Sequence, residues 1–177
     1  VLFCFLYTTL LAQHGMGDVL VLLFFGLVPV CLTYYVTMPP ASQTITAQVV
    51  WASLACGLVI DTLLVVNNYR DYDQDRAVGK KTLIVRIGRE RAEQLYGWLG
   101  NIATYMMWGC LVLGDSSFVL MLVCFACFVP YALLHGATRV QMRRIGRGRE
   151  LNKVLGMTAR NMFVFGVTTA IVTLFIL

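Results

Sequence analysis

Charge is scarce in this sequence. Only 13% of its 177 residues are Asp, Glu, Lys or Arg, against about 25% in an average soluble domain. Combined with 59% hydrophobic residues and a mean hydropathy of +0.75, that deficit excludes an ordinary water-soluble globule, a disordered segment and a nucleic-acid-binding arm. There is no internal repeat, no low-complexity stretch and no polar run long enough for a separate soluble domain. No Met stands at position 1. Val1 opens inside an apolar run, without a basic region before it or a small-residue cleavage site after it, so a signal peptide is excluded and an N-terminally truncated chain is expected. The six cysteines all fall in apolar runs, where a free thiol behaves as a small hydrophobe. Cys124-x-x-Cys127 has redox or zinc spacing, but no further ligands stand near it, and it reads as packing.

What is present is a series of long apolar runs. A helix needs roughly 20 apolar residues to cross a bilayer. Val19–Val36, Ile45–Val66, Leu95–Leu113, Phe118–Ala137 and Asn161–Leu177 each qualify as a span, and Val1–Ala12 as the tail of another. Pro29 inside the first is tolerable in a spanning helix. The expected fold is an all-α polytopic transmembrane helical bundle, one transmembrane domain over residues 1–177. All fourteen Lys and Arg lie in two polar segments, 67–94 and 138–160. Two spans separate them, which puts both on one face. Basic residues accumulate on the cytoplasmic side, so both segments are expected as cytoplasmic loops. The Thr37–Thr44 and Gly114–Ser117 turns and the C-terminus are then outside.

The segment Asn67 to Leu83, NNYRDYDQDRAVGKKTL, carries the chemistry. If the preceding span continues as helix, Asn67, Asp71 and Asp75 fall at i, i+4 and i+8 and form one polar stripe, with Asp73 pointing away. Two carboxylates on one helix face repel each other unless a cation sits between them. Mg2+ suits such a site: it takes oxygen ligands and is held by one or two carboxylates plus substrate phosphates. The cations after Asp75 can neutralise remaining phosphate charge. The expected ligand is a magnesium-bound phosphate or diphosphate at the membrane surface. Asp71-x-Asp73-x-Asp75 also begins like a calcium loop, but Arg76 stands where that loop needs Gly and Thr82 where it needs Glu.

This segment resembles the second aspartate-rich motif of the UbiA superfamily of intramembrane aromatic prenyltransferases. Within it, Asn67-Asn68 resembles the 1,4-dihydroxy-2-naphthoate polyprenyltransferases of menaquinone biosynthesis rather than the hydroxybenzoate branch, which typically reads Tyr-Ala there. Gly17-Asp18, Phe24-Phe25-Gly26, Thr33-Tyr34-Tyr35, Val85-Arg86-Ile87-Gly88, Leu151-Asn152 and Thr158-Ala159 resemble the same branch. The resemblance implies the C-terminal part of a nine-helix fold, with the first aspartate-rich motif absent from this chain. It implies transfer of a polyprenyl group from polyprenyl diphosphate to 1,4-dihydroxy-2-naphthoate, in the bacterial cytoplasmic (inner) membrane, by an enzyme whose fragment alone is inactive. The implied roles are Asp71, Asp75 and Asn67 around Mg2+, and Lys80, Arg70, Arg86 and Asn68 on the diphosphate. The implied partners are those two substrates and the lipid bilayer, with no nucleic acid. The competing readings are a related transferase for homogentisate, hydroxybenzoate or a chlorophyll precursor, and a non-catalytic channel or transporter subunit.

Other residues read more blandly. Asp61 lies inside a span, where an ionisable group is a functional candidate. It sits about two turns before Asn68 on nearly the same face, so it either faces the cavity or meets a helix outside this chain. His14 and His135 stand at span ends and read as interfacial packing; Trp51, Trp98 and Trp108 read as interface anchors. Arg89 and Arg91 read as surface charge, and Arg143–Arg149 as a headgroup contact.

Overall fold

A computed structural model describes residues 15–112 and 117–176. The Val1–Ala12 run, His14 and all but Ser117 of the Gly114–Ser117 turn lie outside the described residues. Every regular element among the described residues is helical. The helices are α1 (Gly17–Thr37), α2 (Ala47–Arg70), α3 (Tyr72–Ala77), α4 (Leu83–Ile87), α5 (Arg89–Val112), α6 (Phe118–Ile145) and α7 (Leu151–Ile176). Helices α2, α5, α6 and α7 form a ring in which each packs on the next and α7 returns to α2, while α1 lies outside against α2.

Local chemistry sets the boundaries. Thr46, Thr82 and Ser117 each accept a hydrogen bond on the side-chain oxygen from the backbone N–H three residues on, capping α2, α4 and α6. In α1, the turn Leu22–Leu27 is π-helical and ends two residues before Pro29. Proline lacks an N–H and its ring crowds the carbonyl four residues back. That carbonyl belongs to Phe25, inside the widened turn.

The core has two parts. Ala55, Val59, Ala103, Met107, Phe128, Tyr131 and Phe165 fill the middle of the ring. Val66, Tyr69, Ile84, Tyr96, Met142, Leu151 and Val154 fill its basic end. The two basic segments therefore are not open loops. Helix α2 runs to Arg70, α3 and α4 fold back over the second cluster, α6 continues to Ile145 and α7 starts at Leu151. They meet at one end of the bundle, where Arg89 Nη1 donates to the Gly146 carbonyl at 2.6 Å and Arg70 Nη1 to Asn152 Oδ1 at 3.2 Å.

Four helices, α1, α2, α6 and α7, are long and apolar enough to cross a membrane. Helix α5 has the length, but Tyr, Trp, Gly and Asn residues dilute it. Its Ala92, Tyr96 and Ala103 are completely buried, and a helix enclosed by protein needs less greasy sequence than one facing lipid. Elsewhere large apolar side chains are exposed along whole helices, among them Phe118, Leu122, Leu133, Phe163 and Leu174. A soluble monomer does not tolerate such surface; the chain is a multi-pass membrane protein.

Candidate active site

The site lies where α2 ends. The Asn67, Asp71, Asp75 ladder survives the break at Arg70: the Asp71 N–H donates to the Asn67 carbonyl at 3.1 Å, and the Asp75 N–H to the Asp71 carbonyl at 2.8 Å. The three residues stay one turn apart, although Asp71 itself (φ −88°, ψ 5°) leaves regular helix.

Each aspartate of the motif has its own cation. Arg70 forks onto Asp71, Nε to Oδ1 at 2.7 Å and Nη2 to Oδ2 at 2.9 Å, and the same guanidinium donates to the Asn67 and Asn152 amide oxygens. Lys80 Nζ lies 3.2 Å from Asp75 Oδ1, and Arg89 Nη2 lies 2.9 Å from Asp73 Oδ2. Asp73 is the exposed one, 63% at its side chain, as its place off the stripe predicts; Asp75 is 10% exposed. No group of three or more His, Cys, Asp or Glu side chains gathers among the described residues.

The Asp75–Lys80 pair is a product of one turn. Gly79, at φ +73°, ends α3 in the left-handed region. Its N–H donates to the Arg76 carbonyl and that of Lys80 to the Asp75 carbonyl, a Schellman cap. The spacing Asp-x-x-x-Gly-Lys thus returns both the backbone and the ammonium of Lys80 to Asp75.

Three hollows adjoin the motif. A polar pocket of about 230 Å³ is lined by Asp18, Asn67, Asn68, Lys80 and Thr82, with Leu64 and Leu83 as apolar walls. An apolar groove of about 600 Å³ runs between α1, α2 and α7, past Phe25, Ile60, Leu63 and Leu155. Leu64 and Asn67 line both. Asp71 lines a third hollow with Arg70, Arg149 and Asn152. The structure thus gathers Asn67, Asn68 and Lys80 in one pocket, with Asp75 behind Lys80. It sets Asp71 and Arg70 in the neighbouring hollow. Arg86 is exposed, with its guanidinium beside Gly15.

Several residues differ from their sequence reading. Arg89 is not surface charge: its side chain is 14% exposed and its guanidinium lies between the rings of Tyr69 and Tyr72. Trp108 joins α5 to α6, donating to the Met121 carbonyl at 3.1 Å. His135 is packed as expected, yet within the bundle, stacked between Tyr96 and Tyr131. Asp18, noted in the sequence only through the Gly17-Asp18 resemblance, lies in the first turn of α1 and lines the polar pocket; the available signal was an acid beside the start of an apolar run.

A family model described as the UbiA prenyltransferase family matches residues 1–153. A protein of Mycobacterium tuberculosis named 1,4-dihydroxy-2-naphthoate octaprenyltransferase is 35% identical over 162 residues, 88% of this chain and 49% of that protein. Proteins of the same name from Escherichia coli (33% over 119 residues, 67% of this chain and 32% of that protein) and Haemophilus influenzae (40% over 89 residues, 50% and 28%) also match. The chain spans between 28% and 49% of the length of these relatives. No solved structure matches it significantly. With most of its length under the family model, and the motif's ladder and cap in place, the chain belongs to the UbiA prenyltransferase family.

Proposed function

We propose that the protein carrying this chain transfers a polyprenyl group from polyprenyl diphosphate to 1,4-dihydroxy-2-naphthoate, with Mg2+, at the cytoplasmic face of a bacterial inner membrane in menaquinone biosynthesis. One observation carries this reading: Asn67 lines both a polar, lysine-containing pocket and an apolar groove, which adjoin there. A long-tailed diphosphate needs that junction. Each buried CH₂ contributes about 0.8 kcal/mol, so the tail belongs in the groove and the head beside Lys80. The names of the relatives supply the acceptor class.

The donor set suits a hard divalent cation. Oxygens of Asp71, Asn67 and Asn152 already converge on one positive group, the Arg70 guanidinium, and magnesium takes such oxygen ligands. Asp71 and Asp75 with Asn67 would hold the metal, which when bound supplies neutralisation of the leaving diphosphate. Lys80, Arg70 and Arg86 add charge-assisted hydrogen bonds to the diphosphate oxygens, and the Asn68 amide donates beside them. As Arg70 and Lys80 turn onto phosphate, they release the carboxylates they now neutralise. The groove walls keep water from the allylic cation.

The test is in vitro prenylation by the purified full-length protein with magnesium and several aromatic acids. Dihydroxynaphthoate is consumed in preference to hydroxybenzoate and homogentisate, and chelation of the metal stops the reaction until magnesium is restored. Asp71→Ala and Asp75→Ala each abolish turnover while membrane insertion is unchanged. Full turnover in either variant would overturn the site assignment.

A further inference from the structure

Asp18 and Asp61 stand apart from the aspartate motif, yet both are buried in the apolar part of the chain. Asp18 is 8% exposed and Asp61 2%. One carboxyl oxygen of each, Oδ1, is fully enclosed without a hydrogen-bond partner. No Lys or Arg pairs with either among the described residues. The start of α1 rests on the same stretch of α2, since a Cβ at Gly17 would lie 3.4 Å from Leu64, one turn beyond Asp61.

A buried polar group without a partner is costly, so two of them near the contact of α1 with α2 invite a ligand that completes them. Asp18 lines the polar pocket, and Asp61 stands on α2 one turn before the pocket's Leu64. The same pocket is lined by Asn68 and Lys80, groups suited to an anion. Phosphate is repelled by the acidic side, which calls instead for a hydrogen-bond donor. Leu64 and Leu83 complete the wall with apolar surface. A cation cage would gather oxygens there; apolar walls with one acidic acceptor suit the face and hydroxyl edge of an aromatic ring.

We infer that Asp18, backed by Asp61, seats the hydroxyl of the aromatic acceptor in this pocket as its hydrogen-bond acceptor. The identity of that acceptor rests on the prenyl-transfer reading above. No bond is made or broken in this role: Asp18 is a binding residue that fixes where the ring lies relative to the diphosphate head.

Calorimetric binding of 1,4-dihydroxy-2-naphthoate to the purified full-length protein, without prenyl diphosphate, tests the inference. Asp18→Asn should weaken binding at least tenfold and Asp61→Asn about threefold. At least one monomethyl ether of the naphthoate, which lacks a donor, should bind the unmutated protein tenfold more weakly, and Asp18→Asn should erase that difference. Equal binding by Asp18→Asn, or a preference for the free hydroxyl that survives it, would overturn the seat. Should Asp18→Asn fail to fold, the ether comparison in the unmutated protein and in Asp61→Asn decides in its place. Transfer assayed in parallel separates the two readings. An unmutated protein that binds the naphthoate in the Asp18-dependent way but prenylates no acceptor overturns the transferase reading alone. Active transfer with an unchanged acceptor KM in Asp18→Asn overturns the seat alone.

Discussion

At Arg89 a single guanidinium joins four parts of the site. It donates to the Tyr69 carbonyl at the end of α2 (3.2 Å) and to the Gly146 carbonyl at the end of α6 (2.6 Å). It pairs with Asp73 on α3 and lies 4.9 and 4.8 Å from the ring centroids of Tyr69 and Tyr72. Lysine cannot reproduce that planar fork. Arg89→Lys should therefore cost about 1–3 kcal/mol, read as a lower thermal midpoint in detergent, although Arg89 touches neither hollow next to Asp71 nor the polar pocket. Gly79 makes a second point at this scale. At φ +73° any L side chain is strained by about 1–2 kcal/mol. A Cβ there would meet nothing within 4 Å, so the whole penalty falls on the backbone. Gly79→Ala should loosen the cap that holds Lys80 on Asp75, raising the KM for the prenyl diphosphate severalfold beside a modest fall in the thermal midpoint. An unchanged KM would mean that Lys80 reaches the diphosphate without help from the turn.

Helices α1 and α2 meet through two glycines, Gly26 and Gly57. A Cβ at Gly26 would lie 2.7 Å from the Ser53 carbonyl oxygen and 2.8 Å from Gly57 Cα, both backbone atoms that cannot swing aside. Gly26 lies in the π-helical turn, so the widened turn, Pro29 and this contact form one device that lays α1 along α2. Gly26→Ala should push the helices apart, cost about 1–3 kcal/mol as overpacking does, and weaken acceptor binding, since Asp18 on α1 and Asn68 on α2 line one pocket. Gly166→Ala on α7 is the control: nothing lies within 4 Å of its Cβ, and the exchange should be neutral or slightly stabilising. Hydropathy revealed where these helices cross the bilayer but not where they stop. Arg and Lys are good helix formers, so α6 passes from Ala137 through Arg139, Arg143 and Arg144 without interruption. A polar segment read as loop is helix for most of its length.

Across the whole molecule, what could be read in the sequence is what local pattern encodes: the apolar runs, the one-turn spacing of Asn67, Asp71 and Asp75, and the exposure of Asp73. What could not be read depends on residues far apart in the chain. Arg89 meets Gly146, Arg70 meets Asn152, and Asp18 meets the pocket of Asn68 and Lys80 only because the ring closes α7 onto α2 and lays α1 beside them. The same closure makes orientation in the membrane testable. Both basic segments sit at one end of the bundle, and the Pro40–Ser42 turn between α1 and α2 sits at the other. Because Lys and Arg are retained on the cytoplasmic side, the end with the aspartate motif should face inward. Val78, 74% exposed in the turn after α3, and Ser42, exposed in the opposite turn, are suitable reporters. With the unmutated full-length protein as background for the native thiols, a membrane-impermeant maleimide should label Ser42→Cys in intact cells. It should reach Val78→Cys only after the membrane is opened. The reverse pattern would place the motif outside, away from any cytoplasmic supply of prenyl diphosphate, and would remove the inner-face assignment while leaving the bundle itself intact.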